Sequence, residues 1–267
     1  MIQEFQHEDI HCVKVTVSFS GISINVHLYF VDGLLIDTGP SRAKKNLIPI
    51  FQSLPISQIV LTHHHEDHTG MSSWVADHLN KPIYIHETGV SDCQQPSNIP
   101  FYRRVFWGNN TPFQPEPIPQ IIETENHNFE VIHTPGHAHD HIVLFNKEKG
   151  WLFGGDLFVV SRPKSMFSFE SVPVMVKSIR KVFDYDFSTL YCSHAGVLVN
   201  GKEHLASKLQ YLEDIQGQVK KLHQKGMNAK EIQKELFPKI HSMQILSGFE
   251  NSPLHMVNSI LNNVENA

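Results

Sequence analysis

One short segment constrains this chain more than any other: Thr62-His63-His64-His65-Glu66-Asp67-His68, which follows directly on the apolar run Gln58 to Leu61. In an extended chain, residues two apart point the same way, so His63 and His65 can grip one ion together. If the chain then turns into a helix, Asp67 and His68 project toward a neighbouring point. Imidazole suits zinc, iron and other transition metals, and a carboxylate adds a hard oxygen. Chance alone would place three histidines and an aspartate at these offsets in roughly one chain of this composition in 200. Whatever fold the chain adopts must bring further ligands to that loop.

Three other segments offer them. Thr134-Pro135-Gly136-His137, Phe153-Gly154-Gly155-Asp156 and Tyr191-Cys192-Ser193-His194 each end a strand-like run with a potential ligand. The small residues before it let backbone approach closely, as a site along one sheet edge requires. The surrounding pattern mixes strands and helices. Strands are expected at 13–19, 24–31, 34–37, 58–61, 82–85, 129–133, 141–145, 151–153 and 189–192, with Asp32-Gly33 as a hairpin turn. Helices are expected at 43–52, 72–79 and 172–183. Beyond Asn200-Gly201 only helices are expected, at 203–225, 229–236 and 252–261. Leu205, Leu209, Leu212 and Ile215 form an apolar stripe on the first of these. The expected division is a catalytic domain at 1–200 and a helical extension at 201–267 packed on it.

Residues 93–120 differ, with six prolines among Phe101, Tyr102, Phe106, Trp107 and Phe113. An irregular aromatic stretch between ligand motifs suits a substrate lid, so Phe101, Phe106 and Trp107 are candidate pocket residues.

The bulk properties narrow the function. A chain of 267 residues, 40% hydrophobic and 18% charged, can bury a substantial core. Its formal charge of -5 gives no global attraction for nucleic acid or anionic lipid. Cys12, Cys93 and Cys192 are scattered, with no CxxC pair, so neither a disulfide framework nor a thiolate zinc site is indicated. The segment Met1 to Glu8 lacks an apolar signal core, and no run of 18 apolar residues occurs, so a cytoplasmic protein without a membrane span is expected.

On these motifs the chain, over roughly residues 10 to 200, resembles the metallo-β-lactamase superfamily, in its glyoxalase II-like branch. The resemblance implies an α/β fold, a four-layered αββα sandwich, here with a small all-helical C-terminal extension. It also implies two divalent transition-metal ions, zinc first, with iron or manganese as alternatives. By the same resemblance His63, His65 and His137 hold one metal, and Asp67, His68 and His194 the other. Asp156 bridges them, and Asp37 orients a ligand histidine. Ser193 stands where relatives carry glycine, and Ala138-His139-Asp140-His141 replaces small residues.

His64 must point away from its neighbours and is expected in the core or behind the ligands, His139 at the rim or surface, and His141 in packing or hydrogen bonding. The implied reaction is hydrolysis by a metal-bridging hydroxide, with Asp67 also passing a proton to the leaving group. A small ester, thioester or lactone ranks ahead of RNA or a phosphodiester, because the tail helices resemble those of β-lactamase-like hydrolases, some of them endoribonucleases, yet lack a basic run. A non-hydrolytic or redox metal protein ranks last. The expected partner is a small-molecule substrate, and a homodimer is carried as one option.

Overall fold

The computed structural model describes residues 1–265, with side chains through 263. Thirteen strands among them form two sheets. In the first, β1 (Ile2–His7), β2 (Ile10–Phe19), β3 (Ile22–Val31), β4 (Leu34–Ile36), β5 (Gln58–Val60), β6 (Ile83–Ile85) and β7 (Glu116–Pro117) lie side by side in chain order. The second runs β13 (Gly196–Leu198), β12 (Thr189–Cys192), β11 (Trp151–Gly155), β10 (Ile142–Asn146), β9 (Asn128–His133), β8 (Ile121–Glu123). β1 to β4 are antiparallel neighbours, and from β4 to β7 the pairing turns parallel. In the second sheet only β11 and β12 pair in parallel, joined through a helix as such a crossover requires.

The period-2 side-chain pattern assigns each residue to a layer. Along β3, Val26, Leu28 and Phe30 face one way, into a cluster with Leu47, Phe51, Trp74 and Phe106. Tyr29 and Val31 face the other, into a cluster with Phe129, Trp151, Phe153 and Tyr191 of the second sheet. β10 divides likewise. Ile142 and Leu144 point between the sheets, while Val143 and Phe145 point outward onto helices. The result is helix, sheet, sheet, helix.

One outer layer holds α1 (Lys44–Ser53), the short α2 (Glu66–Thr69), α3 (Ser72–Leu79), α4 (Val90–Gln94) and α5 (Phe101–Trp107). The other holds α6 (Val172–Val182), α7 (Gly201–Gln224), α8 (Ala229–Leu236) and α10 (Pro253–Glu265), while α9 (Ser242–Leu246) packs Leu246 against the first cluster. Leu205, Leu212, Ile215 and Val219 of α7, Ile232 of α8 and Val257 and Ile260 of α10 share one buried cluster with Leu152 and Leu190 of the second sheet. The stripe on α7 therefore closes the outer face of that sheet. No helix among the described residues is long and apolar enough to cross a membrane.

The expected elements form at or near their expected bounds, and the exception is the stretch at 93–120. It holds the helix α5, where an irregular loop was expected, because Pro100 stands at the N-cap, outside the helix it precedes. β1, β7, β8, β13, α4 and α9 were not anticipated. β1 and β8 are edge strands whose residues are mostly exposed, so they carry no apolar alternation.

Two glycines make opposite demands. Gly136, at φ +132°, lies so close to α6 that a Cβ would sit 2.6 Å from the Met175 amide nitrogen. Gly217 lies in the middle of α7 with nothing within 4 Å of an added Cβ. Gly136→Ala should lower unfolding free energy on the order of 1–3 kcal/mol, and Gly217→Ala should raise it by about 0.5–1 kcal/mol. Urea denaturation of the two variants tests both signs.

Candidate metal centre

Four chain segments end at one edge of the two sheets. β5 delivers Thr62 and the histidine loop, the β9–β10 turn delivers His137, β11 ends one residue before Asp156, and β12 ends two residues before His194. The β4 end adds Asp37. Gly155 allows this convergence: at φ +49°, its absent side chain leaves room for the His141 ring, whose Nε2 would be 2.7 Å from a Cβ there.

His63, His65 and His137 place one nitrogen each within 4.8 Å of the others, as do the ligand atoms of Asp67, His68 and His194. Within the first group, His65 Nδ1 lies 3.0 Å from His63 Nε2 and 3.1 Å from His137 Nε2. Nitrogens on one tetrahedral zinc ion stand about 3.3 Å apart, since each bond is about 2.0–2.1 Å. Asp156 lies between the groups, its Oδ2 3.3 Å from His137 Nε2 and 3.1 Å from His194 Nε2, and its Oδ1 3.6 Å from His68 Nε2. The seven residues expected as ligands thus come together at one edge.

The electrostatics suit cations. Burial, followed by the neighbouring imidazoles, holds His63 and His65 well below the usual histidine range, so both are neutral with a lone pair to donate. Burial pushes the Asp156 carboxyl up, but His194 and His68 outweigh it and hold Asp156 well below the usual carboxylate range. His68 Nε2 and Asp156 Oδ1 are buried without a hydrogen-bond partner. Burial lowers His68 and His194 too, but the neighbouring carboxylates outweigh it and hold both well above the usual histidine range. Two neutral imidazoles, an ionised carboxylate and cation-drawing carboxylates around the orphaned His68 Nε2 and Asp156 Oδ1 fit divalent transition-metal ions.

A supporting layer fixes the rings. Asp37 accepts from His68 Nδ1 at 2.8 Å and from the Thr62 amide at 2.8 Å, which leaves His68 Nε2 for the centre. It does so from a left-handed backbone, φ +60°, costly for a non-glycine residue. Ser193 adds a contact to Asp37 at 3.4 Å. His137 Nδ1 donates to Glu170 at 2.8 Å, and His194 Nδ1 to the Asn25 carbonyl at 2.7 Å. His141, pushed down to about 3 by burial and then by His137, accepts from the Asp156 amide at 3.0 Å. His64 turns away to Asp140, 2.8 Å, with exposed His139 beside it.

A model of the metallo-beta-lactamase superfamily matches residues 25–194, more than half of the chain. The chain belongs to this superfamily. Over 93% of its length it is 23% identical to the Bacillus subtilis protein named "Probable metallo-hydrolase YqjP", covering 91% of that protein. It is 30% identical to "Beta-lactamase-like protein 2 homolog" of Drosophila melanogaster over 67% of its own length and 58% of the fly protein's. It is 25% identical to "Atrochrysone carboxyl ACP thioesterase" of Emericella nidulans over 59% of its length, spanning 45% of that relative. The fold matches that of a metallo-beta-lactamase family protein from Thermus thermophilus, with TM-score 0.71 and 18% identity over 97% of this chain and 94% of the other. A beta-lactamase domain protein from Burkholderia ambifaria matches with TM-score 0.71 and 16% identity, over 98% and 88% of the two chains. The chain is thus a superfamily member with metallo-hydrolase relatives, and its His/Asp clusters are suited to the divalent metal ions that the superfamily implies.

Beside the clusters lies a cavity of about 560 Å³, whose lining includes His65, Asp67, His137, Asp156 and His194. Phe106 and Trp107 line it too. Phe101 does not: it is 77% exposed, because α5 turns Tyr102, Arg103, Phe106 and Trp107 inward and its first residue outward. Three contributors were not singled out in sequence. Glu170 sits in a loop with no motif, and the buried pair Glu66–Arg103 joins the metal loop to α5. Arg103 Nη2 donates to Glu66 Oε2 at 2.8 Å, with Nε on the other oxygen at 2.5 Å, and its guanidinium lies over the Phe167 and Phe169 rings. Opposite charges 37 positions apart leave no readable spacing.

Arg103→Met would strand the buried Glu66 carboxylate and should cost about 3–5 kcal/mol. The double variant Glu66→Leu/Arg103→Met should recover most of that loss. A double-mutant cycle by chemical denaturation measures it, and equal losses in the single and double variants would refute the pairing.

Proposed function

We propose that the protein is a two-metal hydrolase of a small ester, thioester or lactone. The observation that carries this reading is the position of Asp156 between two complete ligand groups. In it, His63, His65 and His137 would hold one ion and Asp67, His68 and His194 the other, with Asp156 available to both groups. Ions held there supply a water acidified toward neutral pH and a Lewis acid for the carbonyl oxygen. The remaining work belongs to the protein. Asp67, on the cavity wall, accepts a proton from the attacking water and passes it to the leaving oxygen or sulfur. Asp37 and Glu170 keep His68 and His137 in the tautomers that present Nε2. Phe106, Trp107 and Met175 shield the acyl group from bulk water.

The size and walls of the cavity favour a small substrate over RNA, as does the formal charge of -5. The thioesterase relative supports thioester chemistry as the first class to assay.

Elemental analysis of the purified protein should give close to two transition-metal ions per chain, and Asp156→Ala should reduce both. Glu170→Gln should weaken metal affinity or activity about 10–100-fold. A protein fully active after chelation and desalting would end the two-metal reading.

The substrate class is tested with a panel of thioester, lactone, phosphodiester and single-stranded RNA at low and moderate salt. Ester or thioester cleavage insensitive to salt, and lowered about 10²–10⁴-fold in Asp67→Asn, is expected. Strong RNA cleavage that falls steeply with salt, with no ester activity, would reverse the ranking.

A further inference from the structure

Lys208 is the most unusual charged residue outside the metal cluster. It sits on the buried face of α7, three residues after Leu205 and four before Leu212, and is 3% exposed. Its ammonium donates to the carbonyls of Leu157 and Phe158, 2.7 Å each, in the loop that follows Asp156. Those two bonds occupy two of its three donors. It forms no ion pair among the described residues, and burial draws it down to about 8 although Glu170 and Asp156 oppose this through space. A buried ammonium without a counter-ion carries a desolvation cost that two carbonyls only partly offset.

Lys208 also lines the metal cavity. The other charges in the cavity wall are engaged: Arg103 with Glu66, Glu170 with His137, and Asp67 and Asp156 with the ligand imidazoles. The exception is Lys164, exposed at the rim. The cavity thus presents one buried cation with a donor to spare, a second cation at its mouth, and no unengaged carboxylate to answer either.

We propose that Lys208 anchors a carboxylate carried by the substrate. This rests on the hydrolase reading and narrows it: the substrate is a small ester or thioester with a free carboxylate of its own. The carboxylate accepts the third ammonium hydrogen and supplies the missing counter-charge, while the scissile carbonyl reaches the metal edge.

Binding separates this proposal from the reaction. The metal-loaded protein is titrated calorimetrically with short dicarboxylates, malonate through adipate, and with the monoamide of each. Both members of a pair offer one carboxylate to the metal edge, and only the dicarboxylate offers a second to Lys208. Wild type should bind at least one dicarboxylate about tenfold more tightly than its monoamide. Lys208→Met, or Lys208→Gln if the first variant does not fold, should reduce the difference to less than twofold, while Lys164→Met should retain it. Equal binding of every pair by wild type, a preference that survives in a folded Lys208 variant, or one lost instead in Lys164→Met would each overturn the assignment. Because no turnover is needed, a protein that discriminates the pairs but hydrolyses no ester would refute the hydrolase reading and leave the anchor standing.

Discussion

The structure depends on holding seven candidate ligand side chains in a buried edge where their own charges and lone pairs oppose one another. His63, His68 and Asp156 are nearly or fully inaccessible to solvent, and three imidazole nitrogens stand about a hydrogen-bond length apart. No single loop could enforce this. Packed sheets can, because each ligand leaves the end of a strand whose position is set by backbone pairing on either side and by apolar clusters above and below.

The cost shows in the second layer. Asp37 accepts a left-handed backbone to reach His68 and Thr62, and His141 stays neutral and buried to receive the Asp156 amide. Glu66 and Arg103 are buried together, which ties the ligand loop to α5 and thereby to Phe106 and Trp107 of the cavity wall. Removing either partner would leave a stranded charge, so α5 and the histidine loop are coupled through electrostatics as well as packing.

The C-terminal helices belong to this arrangement too. The stripe on α7 closes the outer face of the second sheet, and the same helix sends Lys208 through that face to the loop after Asp156. With Met243 of α9 and Asn251, it makes the helical region part of the cavity wall. Packing on the core and bordering the cavity are therefore two results of one placement.

Much of this was legible in the chain. The His63 to His68 spacing, the small residues before His137 and Asp156 and the strand-like runs leading to each ligand are local, and local geometry follows from period 2 and turn chemistry. The apolar stripe on α7 was equally local, whereas Lys208 within it was not singled out. The hydrogen-bonding role expected of His141 is borne out by the Asp156 amide, whereas Glu170 and the Glu66–Arg103 pair were not legible, since each depends on residues 33 to 37 positions apart meeting in space. Phe101 shows the limit from the other side: its aromatic character suggested the pocket, but the rotation of α5 decided that Phe106 and Trp107 enter it and Phe101 does not. The sequence by itself determined which side chains could bind metal and where strands would release them. Tertiary structure alone decided their partners, their desolvation and the shape of the cavity, because those quantities are set by what packs against a residue and not by its neighbours in the chain.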